Sequence, residues 1–171
     1  MKTPVKQAIK GDKESMAILF SQFLAPDENI IFAEHYGFNG LWHMGYHSFG
    51  CLTDRRVCSL KIGWLGSIVY SDGFLEDINS IAINQPSLFV LYLLRIIFVV
   101  FTFGIGIILL PLFVRIYYRY VKSGMIAKVR GGGNVNIFCD RENIKNVDSM
   151  LRLLNTKRED RLVVVFGIAP K

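Results

Sequence analysis

Cysteine is scarce in this 171-residue chain: Cys51, Cys58 and Cys139 are the whole set, with no CxxC spacing. An odd, sparse set argues against a disulfide framework, so three reduced thiols in a cytosolic compartment are expected. Histidine is equally sparse. His35, His43 and His47 would have to share an ion from a strand, where residues four apart lie about 13 Å apart, and no metal site is expected. The run "RGGGN" has no Gly-Lys-Ser/Thr after it and opens no helix, so it reads as a hairpin turn and not as a phosphate cradle. "HSFGC" lacks the flanking glycine and the strand–turn–helix setting of a nucleophile elbow. Asp72, Glu76 and Asp77 read as a solvated acidic surface. No catalytic set and no cofactor motif is visible, so the chain is not read as an enzyme. The opening "MKTPVKQAIKGDKES" lacks the apolar core of a secretory signal.

Apolar residues, by contrast, are abundant. They make up 51% of the chain, and mean hydropathy is +0.34. Much of the excess lies in "SLFVLYLLRIIFVVFTFGIGIILLPLFVRIYYRYV", Ser87 to Val121, whose only charges before its basic end are Arg95 and Arg115. The net charge of +6 is uneven. Residues 1–86 carry 7 Lys/Arg against 9 Asp/Glu, while residues 115–171 carry 12 against 5. A basic excess following an apolar segment is the pattern of a cytoplasmic flank beside anionic lipid. Nucleic acid is not expected as a partner, because basic residues after Arg130 alternate with acids and form no stripe.

Around that segment, the periodicity alternates between helix and strand. In "DKESMAILFSQFLAPDE", Met16, Leu19, Phe20, Phe23 and Leu24 share one helical face; Asp12 is the candidate N-cap and Pro26 the stop. The expected role of this face is packing on the domain. Strands are expected near 30–36, 41–52 and 56–62, with "TDRR" as a tight turn, followed by "GSIVYSD" and "INSIAINQP". "MIAKVRGGGNVNIFCD" reads as a hairpin with arms Met125–Val129 and Val135–Phe138. "DRENIKNVDSMLRLLN" reads as a helix capped by Asp140, burying Ile144, Val147, Met150, Leu151 and Leu154. The tail "RLVVVFGIAP" reads as one more β-like run.

"GCLTDRRVCSLKIG" followed by "GFLEDINSIAI" resembles the bacterial pleckstrin-homology-like domains, in which a strand ending in Thr-x-x-Arg leads into the next and an "L-x-x-I-x-S-I" segment begins the one after. The matching residues are Thr53, Arg55 or Arg56, Leu75, Ile78, Ser80 and Ile81. The resemblance implies a small barrel closed by a C-terminal helix, and a binding or scaffolding role. It covers about residues 28–86 and 123–155, with the apolar segment inserted between the two parts.

Two courses are open to that segment. A single helix over Ile96–Val114 would reach about 28 Å, framed by Arg95 and Arg115. A hairpin would have arms near Leu88–Phe103 and Ile107–Val121, bent at Gly104 and Gly106, with Pro111 kinking the returning arm or opening its first turn. In the hairpin, Arg95 would cost about 2.5–3.5 kcal/mol in lipid unless it snorkels or pairs. A crossing would split one sheet between compartments, which endangers a domain's whole stability of about 5–15 kcal/mol. The hairpin is therefore the expected course.

The expectation is an α+β membrane protein: a small antiparallel sheet or partial barrel with a C-terminal helix and an inserted two-helix membrane hairpin. Its parts are an N-terminal amphipathic helix (1–26), a PH-like domain (28–86 and 123–155) interrupted by the hairpin (87–122), and a tail (156–171). Arg115, Arg119 and Lys122, with Tyr117, Tyr118 and Tyr120, form a basic-aromatic flank suited to headgroup-level contact with anionic lipid. Arg95 is the candidate inside the apolar run. The expected location is integral to the cell membrane, with the soluble part in the cytoplasm. The expected role is to bind a partner or stabilise a membrane complex, with other subunits or a second copy as partners. The alternative is lipid binding or membrane shaping through the hairpin itself.

Overall fold

The computed structural model describes residues 3–40, 45–63, 65–85, 87–102, 106–120, 123–140 and 143–166. Two short helices, α1 (Thr3–Ile9) and α2 (Lys13–Ser21), precede four antiparallel strands, β1 (Ile30–Asn39), β2 (Tyr46–Thr53), β3 (Arg56–Gly63) and β4 (Ile68–Phe74), which form one sheet in that order. A short turn at Leu75–Asp77 leads to β5 (Ile78–Asn84). The apolar helices α3 (Leu88–Phe101) and α4 (Gly106–Tyr120) follow. Then come β6 (Ser123–Val129), β7 (Asn134–Cys139) and the long α5 (Ile144–Phe166). The second sheet is β5-β6-β7, also antiparallel.

The two sheets enclose a core of Tyr36, Leu52, Val57, Leu75, Ile78, Met125, Val135 and Ile137, closed by Val147, Met150 and Leu154 of α5. The closing residues recur at 3 and 4 positions, so one stripe of α5 faces inward. Tyr36 buries its ring there, and its hydroxyl donates to Met150 Sδ at 3.0 Å. The sheets are tied at one corner. Ser59 Oγ donates to the Asn136 carbonyl at 2.8 Å, and the Asp140 N–H donates to the Tyr36 carbonyl at 3.0 Å. Gly37 sits in a β1 irregularity at φ +97°, and the Asp140 carboxylate occupies the space a Cβ would need. That carboxylate accepts from the Phe38 N–H.

The other face of the first sheet is covered as well. Phe49, Cys51, Cys58, Leu60 and Ile62 pack with Met16, Leu19 and Phe20 of α2 and with Val5 and Ala8 of α1. Cover on both faces buries β2 and β3 at nearly every position, small polar residues such as Ser48 and Ser59 included. Asp12 caps α2, accepting from the Ser15 N–H at 3.0 Å. The helix stops at Ser21, ahead of Pro26, and the polar opening residues form α1.

Three expectations need correction. The tail was read as β-like, but Arg161–Phe166 continue α5; the strand expected over 41–52 begins at Tyr46, with 41–44 outside the described residues. The larger correction concerns the membrane. Among the described residues, no helix is long and apolar enough to cross one. α3 has 14 residues and α4 has 15. At 1.5 Å per residue they reach about 21–22 Å, against about 30 Å of hydrocarbon. An α+β membrane protein with an inserted two-helix membrane hairpin, integral to the cell membrane and with a cytoplasmic soluble part, is therefore not supported. The fold stands as α+β, with antiparallel sheets and a C-terminal helix.

Candidate functional site

The apolar segment doubles back. Phe98 of α3 stacks on Phe113 of α4, with ring centroids 4.9 Å apart. One continuous helix would hold them about 22 Å apart. The strands on either side pair directly: Ile83 faces Met125 and Asn84 faces Gly124. The two helices thus fill what would otherwise be the turn of a β-hairpin. Gly124 makes this junction possible, because the backbone carbonyl of Ile137 occupies the space a Cβ there would need.

The hairpin exposes large apolar side chains that a folded domain would normally bury. Phe89 is 73% exposed, Phe101 79% and Ile108 81%; Val100, Ile107 and Leu112 are also exposed. Continuous apolar exposure of this kind marks a surface that meets something other than water. The polar Thr102 near the tip turns inward on its own helix, its hydroxyl donating to the Phe98 carbonyl at 2.7 Å. Pro111 lies inside α4.

Arg95 is the one charged side chain of α3. It shares a helical face with buried Leu91 and with Phe98. Its guanidinium carbon lies 5.4 Å from the Tyr92 ring centroid, and its Nε is buried with no hydrogen-bond partner among the described residues. With Ile96, Val99, Val100 and Leu110 it lines a shallow hollow of about 270 Å³. The other expected site residues gather at the opposite end of the hairpin. Arg115, Tyr117, Tyr118, Arg119 and Tyr120 fall on the last turns of α4, with Arg115 and Arg119 one turn apart, while Lys122 lies outside the described residues. The basic-aromatic flank and Arg95 are thus on one hairpin but on different helices.

The structure also assembles two polar clusters that sequence spacing did not reveal. Around "TDRR", the Thr53 hydroxyl oxygen accepts from the N–H groups of Arg55 and Arg56 and donates to Glu28. Arg56 lies between Glu28 and Asp72 and over the Phe74 ring at 5.0 Å. Burial alone would lower its pKa, but the hydrogen bonds it donates to Asp72 and Glu28 hold it above the ordinary arginine value. Glu76 faces Arg161 of α5 at 3.8 Å, so the expected acidic surface is partly engaged. Second, His35 and His47 meet across β1 and β2, Nε2 to Nδ1 at 3.1 Å. His43 lies outside the described residues, and among those described no group of three metal-ligating side chains forms. Comparison of the chain with protein-family models, curated proteins and solved structures returned no match.

Proposed function

We propose that this chain is a non-enzymatic binding module that attaches to a lipid surface through the α3–α4 hairpin, without crossing it. The carrying observation is the exposure of Phe89, Val100, Phe101, Ile107, Ile108 and Leu112 on both arms, combined with a basic-aromatic end. A protein-docking face is normally rimmed by polar groups. Here the described polar side chains of α3 and its C-terminal cap are Tyr92, Arg95 beside the hollow, and Thr102, bonded to its own backbone, and none carries a negative charge. The basic and tyrosine-rich sequence at the end of α4, with Arg115, Arg119 and the neighbouring tyrosines, favours anionic headgroups.

The remainder would serve as a PH-like binding platform. Four strands followed by three, closed by α5, are consistent with the arrangement the "TDRR" and "LEDINSI" resemblance implies. Vesicle flotation tests the lipid reading. The full chain should float with liposomes containing phosphatidylglycerol. A variant with residues 86–122 replaced by Asn-Gly should stay folded and remain in the dense fraction, because the Asn84–Gly124 pair can be closed by a short turn. A full chain that stays off vesicles in detergent-free buffer overturns the proposal.

A further inference from the structure

We infer that Arg95 and the hollow beside it hold one anionic phospholipid: the guanidinium takes the phosphate, and the apolar wall takes the upper part of an acyl chain. The inference rests on the lipid-surface reading above. Its starting point is an imbalance. A guanidinium offers five donors and can accept none, so in an apolar setting it requires an anion or water. Arg95 has neither a carboxylate nor a hydrogen-bonded partner at its buried Nε among the described residues; it has the face of Tyr92, a weaker contact.

The reach fits a phosphate. Arg95 is the eighth residue of α3, about 12 Å along the helix from its base. An extended arginine side chain carries its charge several ångströms from the backbone, about 6 Å or more, so the guanidinium can take a phosphate while its stem lies along apolar surface. The hollow supplies the second half of the site. Ile96, Val99 and Val100 lie along α3 and Leu110 comes from α4, so the wall exists only when the two arms are paired. Planar, bidentate recognition of phosphate distinguishes arginine from lysine at such a position.

The flank and Arg95 should be separable by salt. Exposed charges are screened over about 3 Å at 1 M ionic strength, whereas a phosphate held in the apolar hollow is largely shielded from that screening. The test is partitioning of the full chain between buffer and vesicles of phosphatidylcholine, with and without phosphatidylglycerol, at low salt and at 1 M salt. The expected result is a preference for phosphatidylglycerol that survives high salt in the wild type, falls about tenfold in Arg95→Gln, and is only partly restored by Arg95→Lys. Retention of the salt-resistant preference in Arg95→Gln overturns the inference and leaves the lipid-surface reading standing. A wild-type chain that binds neither vesicle overturns both. Matching circular dichroism spectra of the three proteins show whether the differences arise in binding.

Discussion

Arg56 grips Glu28 with two nitrogens, Nε to Oε1 at 3.0 Å and Nη2 to Oε2 at 2.9 Å, while the Glu28 side chain has no exposure to solvent. The contact joins the loop before β1 to the start of β3, and Arg56 Nη1 carries it on to Asp72 of β4 at 2.8 Å. Removing one member of a buried pair leaves the other charged and unsolvated, which typically costs about 3–5 kcal/mol. Arg56→Ala should therefore lower the denaturation midpoint strongly. Its neighbour Arg55 pairs with the exposed Asp27 and should matter far less when changed to alanine. Urea melts of the two variants check the contrast.

The His35–His47 contact makes stability depend on acidity. Burial, and then the neighbouring His47, lowers the His35 pKa to about 4 from an ordinary 6.5, and burial also lowers His47. The folded protein thus refuses protons that the unfolded chain accepts. This contribution is complete above about pH 6.5 and is lost as pH falls from there toward 4. In stability measured against pH, His35→Gln should give a shallower decline between pH 6.5 and 4 than the wild type. Equal slopes would contradict the assignment.

All three cysteines are free and buried. Burial pushes Cys58 and Cys139 up to about 12, and Cys51 is raised more by the same cause. At pH 8 a thiol of pKa 12 is about one part in ten thousand thiolate, and only the thiolate reacts. A thiol-specific reagent should therefore label the native protein no faster than the protein opens, and should label three sites at once in denaturant. Rapid labelling of one site in buffer would show a local opening around it.

Gly124→Ala should be poorly tolerated. The obstacle is the backbone of Ile137 in the adjacent strand, which cannot turn aside as a side chain can. A loss of about 1–3 kcal/mol is expected. Gly131→Ala, in the β6–β7 turn, meets nothing within 4 Å but still sits at φ +99°. Comparing the two in thermal melts separates collision from backbone strain.

Where one periodicity dominated, the sequence was legible. Asp12 and Met16–Phe20 marked α2, and Val147, Met150 and Leu154 marked the face of α5 that closes the core. The arms around "RGGGN" were readable because glycine at φ +99° and +96° is what such a turn requires. The last turns of α5 were not, since "RLVVVF" is rich in β-branched residues, and continuation of the preceding helix overrode their propensity while the valines stayed exposed. The membrane expectation failed because the apolar run is divided between helices of 14 and 15 residues, neither long and apolar enough to cross; Phe98 and Phe113, 15 positions apart in sequence, are stacked in space. Arg95 could be singled out by its surroundings in the sequence. The Arg56–Glu28 and His35–His47 contacts could not, since each depends on a register that only the folded sheet defines.

The pairing of Asn84 with Gly124 also sets an order of events. About 40 residues must be gathered before those two strands can zip, and closing a loop that long costs about 2 kcal/mol more than closing one of four residues. Pairing of α3 with α4 shortens the gap, so the second sheet should form late in the intact chain and early in one carrying a four-residue connection. Refolding of the two-sheet domain is then throttled by two helices of which no described residue belongs to its core clusters.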